Sequence, residues 1–225
     1  MPVPVSVIIP ALNEEEWIAG AVESAVAADA AEVIVADGGS VDRTTRLAKA
    51  AGARILLGDP MRARRLNHAA ESASHRSLIF LHADTRLPRD AVAAVENALN
   101  EGTIFGGFRL RFAERAGKLR VVERMINARS ALTHCPWGDQ AQFIRRDIFR
   151  QLGGFREIPI MEDYDLALRL RRSRRSRVLP LAVITSGRRF LQKGVFRTAA
   201  INWKTIARYH LGADVDELAR IYRGS

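Results

Sequence analysis

The sequence has 225 residues, 48% of them hydrophobic and 27% charged, which suits one α/β domain with a full core and leaves no polar tract long enough for disorder. Lys and Arg number 35 against 25 Asp and Glu, and the resulting charge of +10 attracts anions: a phosphate-bearing substrate, an anionic membrane surface or nucleic acid. Three Trp, three Tyr and no helix-turn-helix or zinc-finger spacing argue against nucleic acid, and the single Cys135 excludes an internal disulfide or a thiolate metal cluster. An arginine- and alanine-rich chain also follows from a GC-rich genome. No run of about 18 uncharged apolar residues appears, and MPVPVSVIIP lacks the basic region and cleavage site of a signal peptide, so a cytoplasmic location is expected.

Val5 to Ile9 is a short β-branched run ended by Pro10, as in a buried parallel strand that opens into a loop. A helix should follow, with Asn13 as its cap, Glu14 to Glu16 at its positive end and Trp17, Ile18, Ala21, Val22 and Ala25 at helical spacing. Glu32 to Ala36 reads as the next strand, turned by Asp37-Gly38-Gly39-Ser40 into a helix near residues 42–51. Strands at 53–57 and 78–81 alternate with helices near 61–73 and after residue 85, giving β-α-β-α-β-α-β-α over the first 100 residues. That alternation predicts a mainly parallel, Rossmann-like α/β sheet with helices on both faces and right-handed crossovers. Ligands of such sheets bind at the carboxyl ends of the strands, which directs attention to Pro10–Glu14, Asp37–Ser40 and His82–Thr85.

The second half differs. Phe108, Leu110 and Phe112 alternate with Arg109 and Arg111, a strand with one polar face. A basic amphipathic helix near 119–131 follows, then a strand at 140–144, a short helix at 147–152, a helix at 162–175, a strand at 178–185 and helices at 196–209 and 214–222. Phe196, Ala199, Ala200, Trp203 and Ile206 suit core packing, while Arg197, Lys204 and Arg208 keep a peripheral membrane contact open.

Taken singly, a carboxylate at a strand end is often only a helix cap. Four clusters in order carry more: Pro10-Ala11-Leu12-Asn13-Glu14, Asp37-Gly38-Gly39-Ser40, His82-Ala83-Asp84 and Met161-Glu162-Asp163-Tyr164. With the contexts SVIIPALNEE, VIVADGGSVDRT, FLHADTRLP and LGGF…MEDYDLALRL, the chain resembles the family 2 glycosyltransferases of the GT-A fold to about residue 190. LHADT and WGDQAQFIRRDIFRQLGGF resemble a small bacterial subgroup of soluble enzymes.

The resemblance implies an inverting, metal-dependent transfer of a hexose from a nucleoside-diphosphate sugar, usually UDP-linked, to an acceptor hydroxyl. The donor nucleotide would meet Pro10, Ala11, Asn13, Glu14, Asp37, Gly38, Arg62, His82 and Ala83. Asp84 keeps the last acid of the family's Asp-x-Asp and would hold Mn²⁺ or Mg²⁺, with His82 in place of the first acid. Asp163, or its neighbour Glu162, would be the catalytic base, and Trp137, Asp139 and Gln140 would border the donor sugar or acceptor. Arg188-Arg189-Phe190 replaces the Gln-x-x-Arg-Trp of processive relatives, which argues against polymer synthesis. One domain is expected, with a nucleotide half (about 1–100), an acceptor half (about 101–190) and C-terminal helices (about 191–225). The alternative from another class is a catalytically silent nucleotide-sugar binder or scaffold. A nucleotidyltransferase would prefer a glycine- and lysine-containing loop after the first strand, which Pro10–Glu14 is not.

Overall fold

The computed structural model describes residues 4–171, 173 and 175–224. Strand β1 (Val5–Ala11) is buried at every position because both of its faces are covered. Val5, Val7 and Ile9 pack in one layer with Ile18, Val22 and Val95, whereas Ile8 packs in the other with Leu66, Phe149 and Leu166.

The chain alternates as its periodicity predicts: α1 (Ile18–Ala27), β2 (Glu32–Asp37), α2 (Thr44–Ala50), β3 (Arg54–Leu57), α3 (Arg62–Ser72), β4 (Ser77–Phe80), a two-residue β5 (Thr85–Arg86) and α4 (Ala91–Asn100). The second half adds β6 (Phe105–Phe112), α5 (Gly117–Thr133), β7 (Gln142–Arg145), α6 (Arg146–Gln151), α7 (Glu162–Arg171), β8 (Ser176–Thr185), α8 (Arg188–Lys193), α9 (Val195–His210) and α10 (Val215–Gly224). Both halves contribute to one sheet, ordered β3-β2-β1-β4-β7-β6-β8-β5. β3, β2, β1 and β4 are mutually parallel, as are β6 and β8, while β7 runs antiparallel to both of its neighbours. The expected mostly parallel α/β sheet with helices on both faces is thus found, as a mixed sheet in which β7 and the two-residue β5 are reversed.

Pro10 explains where the sheet opens. Ile8 accepts the Leu81 N–H on the β4 side and Ala11 accepts the Gly38 N–H on the β2 side. Pro10, two residues after Ile8, therefore faces β4, but that pairing has already ended at Ile8 opposite Phe80. Its missing N–H costs no ladder bond, and β1 and β4 part there.

Several boundaries differ from the sequence reading. Asn13 does not cap α1; it takes a left-handed φ of 54° and binds the next loop, and α1 begins four residues after Glu14. Residues 138–140 form a 3₁₀ turn instead of a strand start. α7 ends at Arg171, and Arg172 and Arg174 of its expected continuation lie outside the described residues. Helix α8 and strand β5 had no expectation. α9 buries Thr198 and Ile206 but turns Phe196, Ala200 and Trp203 outward. Among the described residues no helix is long and apolar enough to cross a membrane.

Candidate active site

At the parting of β1 and β4, Ala11 and Asp37 stand side by side at the ends of β1 and β2. Asp37 is 1% exposed and caps its own turn: Oδ2 accepts the N–H of Gly39 (3.0 Å) and Ser40 (2.9 Å), and Oδ1 accepts the Ser40 hydroxyl (2.5 Å). Asn13 joins the two loops, since its Oδ1 accepts the Val41 N–H and its own N–H donates to Ser40 Oγ. A Cβ on Gly38 would lie 2.8 Å from Nη1 of the buried Arg65, which itself donates to the Pro60 carbonyl. Any larger residue there would have to shift the Arg65 guanidinium.

Next to this pair, Arg188 closes the opening from the far end of the chain. Its Nη2 donates to Glu14 at 2.8 and 3.1 Å and stands 3.5 Å from Asp84 Oδ2, with the Trp17 ring 5.4 Å away. Burial pushes both the Glu14 and Asp84 carboxyls up from their ordinary values, and the Arg188 charge opposes the rise. The loop carrying His82, the buried Ala83 and Asp84 is fastened to β8 by the Thr85–Thr185 hydroxyl pair (2.8 Å) and by the Ser186 N–H to the Asp84 carbonyl.

Arg62, at the start of α3, binds the third and fourth clusters together. Nη1 donates to Glu162 Oε1 at 2.5 Å and Nη2 to His82 Nε2 at 2.6 Å. Because arginine can only donate, His82 Nε2 accepts and the ring is a neutral Nδ1–H tautomer. Burial and the Arg62 charge hold the His82 pKa well below the usual histidine range, which agrees with that assignment. Burial raises Glu162, Arg62 lowers it, and the Asp163 charge adds to the rise.

Asp163, the second residue of α7, points the other way. Oδ2 accepts the Gly138 N–H at 2.7 Å and Oδ1 the Tyr164 N–H at 2.8 Å. A Cβ on Gly138 would collide with Asp163 Oδ2 and come within 2.9 Å of His82 Nε2. One glycine thus brings together the end of β4, the start of α7 and the loop before β7.

That loop is held under strain. Of the five non-glycine residues with positive φ among those described, His134 and Ala141 bracket it, Met161 precedes Glu162, and Asn13 follows β1. Such geometry costs on the order of 1–3 kcal/mol each and collects at functional sites. Within the loop, Gln140 is 0% exposed and its amide is fully engaged, donating to the Phe108 carbonyl and Ser130 Oγ and accepting from Arg129 and the Trp137 N–H. Expected at the sugar, it is instead a brace inside the loop, with nothing left to offer a ligand.

Trp137 carries the Arg129 guanidinium 3.4 Å above its ring and meets Tyr164 and Trp203 edge-on. Arg129 was not singled out in the sequence, because an arginine on a basic amphipathic helix looks like any solvated one. Burial brings its pKa down to about 10, Asp139 opposing. Burial pushes Asp139 up to about 6 against Arg129, with the Asp163 and Asp84 charges adding to the rise, and its Oδ1 is buried without a partner. Three carboxylates, Asp84, Asp139 and Asp163, therefore share one field. Hard oxygen donors of this kind suit Mg²⁺ or Mn²⁺, although among the described residues no three His, Cys, Asp or Glu form a cage by themselves.

Residues 6–156 match the family model described as Glycosyl transferase family 2. Three solved structures with similar folds are TarS 1-349 of S. aureus, the mannosyltransferase PcManGT from Pyrobaculum calidifontis and glucosyl-3-phosphoglycerate synthase from Mycobacterium tuberculosis. TarS is 16% identical over 82% of this chain and 58% of its own, with a TM-score of 0.59. PcManGT, in complex with GDP-Man and Mn²⁺, is 20% identical over 83% and 57%, with a TM-score of 0.65. The synthase, in complex with Mg²⁺ and UDP, is 21% identical over 81% and 70%, with a TM-score of 0.55. The chain thus spans under two thirds of TarS and of PcManGT. None of the curated proteins matches it.

Proposed function

The chain belongs to glycosyl transferase family 2, and from that membership we propose that it transfers a hexose from a nucleoside-diphosphate donor, a UDP sugar, to an acceptor hydroxyl with inversion. The observation that supports this most is the convergence on Gly138 of His82, Asp163 and, through Arg62, Glu162, four residues scattered over 100 positions of sequence.

In this reading residues of about 1–100 bind the nucleotide and those of about 101–190 the acceptor, within one domain in the cytoplasm. Pro10, Ala11, Asn13, Glu14, Asp37, Gly38 and Ala83 form the floor and rim of the nucleoside site; Asp37 would exchange its Ser40 hydroxyl bond for a ribose or base donor. Arg62 and His82 face the diphosphate, with the neutral imidazole adding a Nδ1–H donor and no charge. In this reading the chain is one of the small bacterial subgroup whose LHADT strand end it resembles. Asp84 would hold Mg²⁺ or Mn²⁺, which when bound neutralises the charge that builds on the departing diphosphate.

Asp163 serves as the base. The acceptor oxygen attacks the anomeric carbon, the bond from that carbon to the diphosphate oxygen breaks, and the hydroxyl proton passes to an Asp163 carboxylate oxygen. The Gly138 and Tyr164 N–H groups hold that carboxylate in place. Glu162 is occupied by Arg62 and positions it. Trp137 offers a ring face and Asp139 a carboxylate to sugar hydroxyls. The test is release of nucleoside diphosphate from a panel of nucleotide sugars with Mn²⁺ or Mg²⁺. Turnover with one donor is expected; metal-dependent binding without turnover for any donor and acceptor would favour a silent binder.

A further inference from the structure

Helices α5 and α9 share one apolar cluster, in which Leu119, Val122 and Val195 are buried and Ile126 and Ala199 partly so. Each helix also carries a second apolar stripe that faces solvent. On α5 it is Val121, Met125, Ala128 and Leu132, and on α9 it is Phe196, Ala200, Trp203 and Ala207. Leu132 is 82% exposed and Phe196 61%, and both stripes keep helical spacing throughout. Scattered exposed apolar residues are ordinary; a run of four at helical spacing on each of two packed helices is not.

The exposed charges flanking the stripes on the two helices are basic, and Glu217 of α10 is paired with Arg208. Lys118 and Arg124 are exposed beside the α5 stripe, Arg197 and Lys204 beside the α9 stripe, and α9 contains no acidic residue. Glu123, the one acid on α5, is turned inward to Arg120 and the Phe112 N–H. Trp203 also touches Trp137, so this face continues into the Gly138 pocket.

We propose that the α5–α9 face docks on an anionic lipid bilayer, with the apolar stripes in the headgroup boundary and the flanking cations over acidic headgroups. Apolar stripe and basic flank together are what a surface-lying helix needs. Docking in this way orients the Gly138 pocket towards the membrane, so that an acceptor held there is reached without leaving it.

Because a chain of net charge +10 adheres to anionic vesicles wherever its arginines lie, the test must separate this face from bulk charge. The protein is floated with vesicles of phosphatidylcholine alone and of phosphatidylcholine with phosphatidylglycerol, and Trp emission is followed. Binding to the anionic vesicles with a blue shift that Trp203→Phe removes is expected. Arg197→Glu/Lys204→Glu should weaken binding by roughly tenfold or more, and Met125→Ser/Phe196→Ser should abolish the blue shift. Arg76 and Arg150, exposed at the opposite end of β4 and β7, are the control. If Arg76→Glu/Arg150→Glu weakens binding as much, or no blue shift occurs, the proposal fails. A two-chain mass in light scattering, reduced to one by Met125→Ser/Phe196→Ser, would show that a second copy covers the face and would also overturn it.

Discussion

The backbone N–H of Gly138 donates to Oδ2 of Asp163 at 2.7 Å, and nothing larger than hydrogen fits on the Gly138 Cα beside that carboxylate and the His82 ring. Gly138→Ala should therefore displace both side chains. Since Gly138 lacks a positive φ, the effect is steric and not conformational. We expect a loss of about 1–3 kcal/mol in urea unfolding together with loss of turnover, with the far-ultraviolet dichroism unchanged. Unaltered stability and turnover would mean that the pocket is looser than it stands here.

Arg62 neutralises a buried carboxylate. Glu162 is almost fully buried and, among the described residues, Arg62 is its ion-pair partner, so Arg62→Ala leaves a charge in a site that disfavours it. A cost of about 2–4 kcal/mol at neutral pH is expected, and Arg62→Ala/Glu162→Gln should recover much of it in a double-mutant cycle read by urea unfolding. Simple additivity of the two single changes would show that the pair does not interact.

Asp139 makes stability depend on pH in a definite direction. Its carboxyl rises in the folded chain from 3.8 to about 6. The folded state thus holds a proton that the unfolded state has released, and stability falls as pH rises through that window. Asp139→Asn should match the parent near the lower end and be more stable above about 6, by roughly 1–3 kcal/mol. Unfolding curves across the window check this; a variant less stable at neutral pH would contradict it.

In the proposed metal site, Arg188 would compete with the divalent cation for the Asp84 carboxylate. Arg188 lies 3.5 Å from Asp84 and pairs with Glu14. Removing it in Arg188→Ala should tighten Mn²⁺ binding by roughly tenfold, read by the resonance of free Mn²⁺, and weaken nucleoside-diphosphate binding. Asp84→Ala should abolish the Mn²⁺ binding. Equal affinity in parent and Arg188→Ala would separate Arg188 from the metal site.

The parallel half of the sheet was legible because β-branched runs end in Pro10, Asp37 and His82, and a parallel sheet puts such ends together. Asn13 was misread because an asparagine after a strand satisfies a helix N-terminus or a neighbouring loop equally well, and only the position of Ser40 and Val41 decides between them. The reversal of β7 left no mark in its residues, since a strand buried on both faces reads alike in either direction. Arg188 could be flagged by resemblance alone. Its helix, Arg-Arg-Phe-Leu-Gln-Lys, is too short for periodicity, and its partners Glu14 and Asp84 lie 174 and 104 residues away. Gln140 shows the opposite error: an amide of the right type for a sugar was spent on holding its own loop.

The assignment of Asp163 as the base carries the account. Asp163→Asn preserves size, and its one carbonyl oxygen can accept from Gly138 or from Tyr164 but not from both, so urea unfolding of the variant is read beside its turnover. With the donor that the parent turns over, we expect nucleoside-diphosphate affinity to stay within a few-fold while turnover drops by about 10²–10⁴-fold. Turnover within a few-fold of the parent, at unchanged donor affinity, would contradict the assignment.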